Sequence, residues 1–368
     1  MKRIISSASA FAVVIVFQLS LLAANAGDRV NKVTVLPILD RGEPVVAKTD
    51  TDGAIHLFFN SADGPRYAKS TDSGKSFSAA ISVGDRASRK PGLKFDAWDM
   101  AVGKGGRVHV AMATNAWKLK LPQKEWGFFY ANLEPGAKEF SSVRNINNKP
   151  SEGFSLAADD KGNVTACWLA GKLYANISRD DGKTFAPTVE IDPAYDPCNC
   201  CSTSATFGAD GKLAVLYREE TNNERDMYLA FWDQERNQTS RTRISKTLWK
   251  IDTCPMTYYK ISRTSDGFVA VWPTGTTYDI YFARLDQKGK LLTPGEIRTP
   301  GKAGHRTGVL ALSAPDGSTL IAWSKDKQLG WQLYDAKGRP SGSVGSAKTS
   351  GDGVAGVVDR EGKFILFR

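Results

Sequence analysis

A tight-turn glycine, usually behind an acidic residue and ahead of a short apolar run, recurs at Gly53, Gly106, Gly162, Gly211, Gly267, Gly317 and Gly362, at intervals of 45 to 56 residues. Each glycine separates two runs of strand character. Around Gly317 these are GVLALS at 308–313 and STLIAW at 318–323, a pattern that reads as a hairpin. Repeats of this length built from strands alone read as the blades of a propeller, because one such sheet cannot bury its own faces and must stack on the next. No amphipathic segment of helical period and useful length follows residue 26. Composition agrees: 34 glycines and 9 tryptophans suit turns and aromatic-rich strands, and 3 histidines leave little for histidine-based metal chemistry. The expected fold is therefore all-β, a single propeller of four-stranded blades, seven by the glycine count with six as the alternative. The last repeat, 354–367, holds only two strands. The run 30–39 is expected to complete it, joining the two ends of the chain and removing open edges.

About 20 residues after the first turn, some repeats carry a second, more specific one. STDSGKSF at 70–77 and SRDDGKTF at 178–185 both read S-x-D-x-G-x-[ST]-F, with degenerate echoes at 132–140, 286–289 and 335–338. Ser and Asp side chains bond turn amides there, Gly accepts positive φ, and the aromatic ring plugs the turn into the blade, so these segments are structural staples. At these residues the chain resembles the Asp-box (BNR-repeat) propellers of the sialidase superfamily, over essentially all of 27–368. The resemblance implies a propeller, six-bladed in the family's typical sialidases, with any activity at its mouth.

The first 26 residues read as a signal peptide: Lys2 and Arg3 precede an apolar run from Phe11 to Ala24, and Ala24-Asn25-Ala26 forms a small-x-small cleavage pattern. The expected organisation is a signal peptide at 1–26 and one propeller domain at 27–368, secreted or periplasmic, with no membrane span after cleavage. Loss of Lys2 and Arg3 lowers the formal charge of +10 by two, with the remaining basic residues spread along the chain. Export disfavours nucleic acid as a partner, and a positive surface suits an anionic small molecule or glycan, or a protein partner. No phosphate loop, dinucleotide fingerprint, nucleophile elbow or zinc-protease helix is present, and no cofactor is expected.

In an up-and-down blade the first and third turns share one side of the disk. The second turn and the blade-to-blade connection share the other, where most of the unusual chemistry falls. Cys198, Cys200 and Cys201 lie in one connection and Cys254 in another, flanking a single blade. In an oxidising compartment a disulfide from Cys254 to one of the triplet is expected, the other two pairing between neighbours. A thiolate site for copper(I) or zinc is the rival reading. Cys167, on an inner strand, reads as a buried free thiol.

Arg218, Glu219, Arg225 and Asp226 lie in one second turn, ahead of Asp252 in the connection bearing Cys254. This set resembles a bacterial branch of sialidase-like proteins with a C-x-C-C segment. Sialidases hold a substrate carboxylate with arginines and use acidic groups for catalysis. The resemblance makes Arg41, Arg89, Arg218, Arg225, Asp226 and Arg306 candidate ligand-binding residues, and Asp96, Asp99, Glu219 and Asp252 candidate catalytic acids. The family's N-terminal Arg-Ile-Pro signature is missing, 37–44 reading PILDRGEP, and no late tyrosine is assignable as nucleophile. The expectation is recognition of an anionic or glycan ligand, with glycoside hydrolysis the chemistry if the protein is an enzyme. A non-catalytic protein-binding platform is the alternative, and metal binding through the cysteines a second.

Overall fold

The structure is a computed structural model that describes residues 32–84 and 90–368. The proposed signal peptide and Arg89 lie outside the described residues. Seven sheets form a ring, a seven-bladed β-propeller. Blades 1 to 6 each have four strands in sequence order, at 43–82, 95–145, 152–190, 204–243, 260–302 and 309–348. The first strand of every blade touches the first strands of both neighbours, a closed circuit that places these strands at the axis. Helical structure among the described residues is confined to three short 3-10 turns.

The seventh blade departs from the four-stranded expectation. It contains Ala355–Val358 and Phe364–Phe367, with Val33–Leu36 running parallel to the latter. Topology explains this arrangement. The N-terminal strand must end at the mouth, where blade 1 begins, so it has the direction of a fourth strand. The last repeat supplies no third strand, and Val33–Leu36 takes that place against a strand of its own direction. The chain ends are tied again by Ile38 N–H donating to the Arg368 carbonyl, at 2.7 Å.

There is no single core. Seven apolar clusters lie one between each adjacent pair of blades. Between blades 1 and 2, Val46 and Phe58 meet Met100, Val110 and Met112, each fully buried large side chain contributing roughly 1.5–3 kcal/mol. His56 and His109, three residues after their turn glycines, are fully buried blade residues. Their Nδ1 atoms meet the hydroxyls of Tyr67 and Tyr130 at 2.8 and 2.7 Å.

The two S-x-D-x-G-x-[ST]-F segments fold identically. The Ser70 hydroxyl bonds Asp72 at 2.8 Å and accepts from Gly74 N–H at 2.9 Å, and Asp72 accepts from Ser76 N–H at 2.9 Å. Ser178, Asp180, Gly182 and Thr184 repeat the pattern. Gly74 and Gly182 adopt φ of +82° and +79°, where a Cβ would be strained. The closing aromatic reaches the preceding blade: Phe77 meets Phe367 edge-on at 5.8 Å, and Phe185 meets Tyr130 at 5.1 Å. The turns thus staple neighbouring blades as well as themselves.

Candidate functional site

The face opposite these turns carries two adjoining cavities. One, of about 260 Å³, lies at the axis between the mouth ends of the inner strands. The other, of about 990 Å³, spreads over the second turns and connections of blades 2 to 5 and reaches the connection into blade 6, a size that admits a ligand of several rings. Asp96, Trp98, Tyr258 and Arg306 line both and stand at their junction.

The inner strands are irregular here. Register slips occur between Pro44 and Val46, Ala97 and Asp99, and Glu152 and Ser155, at the mouth ends of blades 1, 2 and 3. Bulges at strand ends re-aim side chains, and the residues inside them, Val45, Trp98, Gly153 and Phe154, line the cavities. Trp98 meets Phe154 at 5.6 Å and Tyr258 at 5.8 Å, both edge-on, forming an aromatic floor. Burial raises the Tyr258 phenol against the opposing pull of Arg306. Asp96, at the rim, has its carboxyl raised by burial among its neighbours, opposed by Lys94 and Lys118. Arg306 is exposed and has no ion-pair partner among the described residues. Its backbone sits at φ 59° and donates to the carbonyl of Met256, itself at φ 44°, over 3.0 Å. Two non-glycine residues locked in left-handed conformations at one rim are strain of the kind that clusters at working sites.

The cysteines converge on the same cavity. Cys200 is bonded to Cys254 across blade 4, with Cα atoms 6.1 Å apart, one of the pairings of Cys254 with the triplet that the sequence suggested. The remaining pair does not bridge as the sequence suggested: Cys198 and Cys201 are both free and buried. The Cys198 sulfur lies 3.5 Å from that of Cys200 and 3.4 Å from that of Cys201. Once Cys200 is tied to Cys254, neither neighbour pairing remains open to it. Cys167 is buried and free on its inner strand, and burial pushes its thiol up.

The other candidate residues divide sharply. Arg225 lines the large cavity, donating to Cys198 Sγ at 3.3 Å with Glu220 3.9 Å away. Arg218 lies fully buried behind it. Its guanidinium donates to the carbonyls of Arg225 and Pro273, both at 2.6 Å, and stacks over Trp249 at 4.7 Å. Asp226 is buried, paired with Arg243 at 3.0 Å, and Glu219 is buried, 3.5 Å from Arg241. Asp99 accepts from Leu156 N–H at 2.9 Å and lies 3.3 Å from Lys260, joining three inner strands. Asp252 and Arg41 are exposed and line neither mouth cavity. The geometry therefore brings together Asp96, Arg225, Arg306 and the four cysteines, and keeps Asp99, Asp226, Glu219 and Arg218 in the framework. Sequence reasoning did not single out Trp98 as a site residue. An inner strand reading F-D-A-W-D, with acids on both sides of a large aromatic, was the available signal.

No family model and no curated protein matches the sequence. Solved structures do match in fold. A PL25 ulvan lyase bound to -[GlcA(1-4)Rha3S]- superposes with a TM-score of 0.56 at 12% identity, over 86% of this chain and 87% of the lyase. Hydrazine synthase of Kuenenia stuttgartiensis gives 0.55 at 11% identity, over 89% and 92%. The six-bladed fucose-recognising lectin of Aleuria aurantia gives 0.52 at 14% identity, over 85% and 97%. Such distant similarity shows a shared propeller architecture, which hosts unrelated chemistries.

Proposed function

We propose that this is an exported propeller of sialidase-like descent that binds an anionic glycan at its mouth. The observation that carries the reading is the junction of the two cavities, where Arg306, with no ion-pair partner among the described residues, lines the same mouth as the Trp98 and Tyr258 rings and Asp96. Sugar rings stack on aromatic faces, a ligand carboxylate or sulfate needs a guanidinium, and a carboxylate at the rim accepts sugar hydroxyls. That a lyase bound to a uronate- and sulfate-containing glycan and a fucose lectin share the fold supports the reading.

Binding is favoured over hydrolysis because three of the acids the resemblance implied lie outside the two cavities, and two of them, Asp99 and Glu219, are already engaged by cations. Asp96 is the group for proton donation if turnover occurs, since it stands at the junction of the two cavities and its carboxyl is raised from the ordinary value. Calorimetry against acidic and neutral oligosaccharides, followed by product analysis, tests both points. Acidic glycans should bind, with Arg306→Ala losing tenfold or more and Trp98→Ala a comparable amount. Equal affinity for neutral and acidic sugars, or unchanged binding by both variants, would refute the site.

A further inference from the structure

The four mouth cysteines form an arrangement that ligand recognition does not explain. Cys198 and Cys201 stand at C-x-x-C spacing with sulfurs 3.4 Å apart, next to an intact disulfide. Both line the floor of the large cavity, yet are 1% and 2% exposed. Their surroundings are cationic. Arg225 donates to Cys198 Sγ, and the Thr257 hydroxyl lies 3.7 Å from Cys201 Sγ. Arg218, fully buried, has only carbonyl acceptors and an unpartnered Nε. A buried guanidinium without a counter-charge is costly, and the acidic groups beside it are thiols. Cys201 is accordingly held below the ordinary thiol range, by the hydrogen bond from Cys198 and by Arg218, while Cys198 is pushed up. A thiolate paired with a neighbouring thiol at the floor of a cavity is the functional unit of thiol–disulfide exchange.

We infer that Cys198 and Cys201 form a redox-active dithiol that exchanges with low-molecular-weight disulfides entering the mouth, closing to a second disulfide beside Cys200–Cys254. The near-complete burial of both sulfurs selects a slender reagent over a folded protein. In the first step the Cys201 thiolate attacks one sulfur of the small disulfide, whose S–S bond breaks and releases one thiolate. The proton of Cys198 passes to that leaving group. The Cys198 sulfur then attacks Cys201 Sγ, forming the Cys198–Cys201 bond and expelling the second thiolate. The protein pair loses two electrons and the small disulfide gains them, yielding two small thiols after one proton is taken from water.

The test equilibrates the full chain in buffers of reduced and oxidised glutathione, quenches with acid, and maps thiols and disulfides by mass spectrometry. Cys198 and Cys201 should convert together as a two-electron unit to a mapped Cys198–Cys201 disulfide while Cys167 stays reduced. Cys198→Ser should stop at a mixed disulfide on Cys201. The inference is overturned if the pair stays free in excess oxidised glutathione, if the two sulfurs react independently, or if the purified protein holds stoichiometric zinc or copper on them. The wild-type mapping decides the question even where the serine variant fails to fold.

Discussion

Replacing Arg218 by methionine separates two roles of the buried guanidinium. The side chain makes two charged hydrogen bonds, to the carbonyls of Arg225 and Pro273, and stacks on Trp249. Methionine leaves both carbonyls unpaired, at about 1–3 kcal/mol each, and removes a cation–π contact of about 2 kcal/mol in a desolvated setting. Against this, a buried charge no longer needs desolvation, a saving of several kcal/mol. The net expectation is a loss of about 2 kcal/mol, which in a domain of this size lowers Tm by about 3 °C. The thiols give a sharper readout. Cys201 is held below the ordinary 9.0 by Cys198, with Arg218 and Thr257 adding to the effect. Because its folded value is depressed, its contribution to stability is complete above pH 9.0 and is lost as pH falls through that lowered value. Cys198, raised, contributes below 9.0 and loses this as pH rises through its own folded value. Alkylation of Cys201 in the wild type should therefore persist into mildly acidic conditions and shift toward alkaline pH in Arg218→Met. Unchanged alkylation profiles in a folded variant would refute the claim that Arg218 is the thiolate's counter-charge.

In the boxed turns, Ser70→Ala removes the acceptor of the buried Gly74 N–H and should cost about 1–3 kcal/mol, measured by urea unfolding; Ser178→Ala should match it. Deleting the chain through Leu36 uncovers the edge of Phe364–Phe367 and should yield aggregation and a loss of roughly 3 kcal/mol or more in apolar burial, seen by light scattering and thermal melts. His109 is lowered from 6.5 to about 3, chiefly by burial, and His56 is lowered in the same way. Each favours the native state fully above pH 6.5 and loses that contribution as pH falls toward its folded value. Stability should therefore decline below pH 6.5 by up to about 1.4 kcal/mol per pH unit for each group, and His109→Gln should flatten part of that slope.

The ring was legible because its signals are local and repeated. Gly317 marks a hairpin through its own φ of +78°, and Ser70 to Ser76 bond one another whatever lies beyond them. The sorting of loops onto two faces followed from strand parity alone, so the meeting of Cys254 with the triplet could be expected before any coordinate. What was not legible depends on burial and on register. Arg218 and Arg225 lie seven residues apart, yet one stacks inside on Trp249 and donates to the Pro273 carbonyl while the other reaches the cavity, a difference made by contacts far along the chain. Trp98 enters the mouth through a bulge, a slip of register that a period-two pattern does not announce. The parallel seventh blade follows from where the chain must exit, which no pairing propensity encodes.

The rim is also uneven, and this bears on the class of ligand. Blades 1 and 6 close their second and third strands with turns at 62–63 and 326–327, whereas blade 2 uses 115–128 and blade 4 uses 219–226. Blades 3 and 5 also have short second turns, at 170–172 and 275–278, so the long loops are confined to blades 2 and 4, with the cysteine-bearing connections on either side of blade 4. A cavity walled on every side holds a single small molecule, because each end of the ligand meets protein. One with a low side lets a polymer continue outward. The disulfide from Cys200 to Cys254 then has a mechanical role within the proposed site: it joins the two connections that flank blade 4, fixing the cavity wall where Arg225 emerges. Exposed Arg306, near the axis and beside the aromatic floor, is placed to meet a charged residue of such a chain where it crosses the mouth.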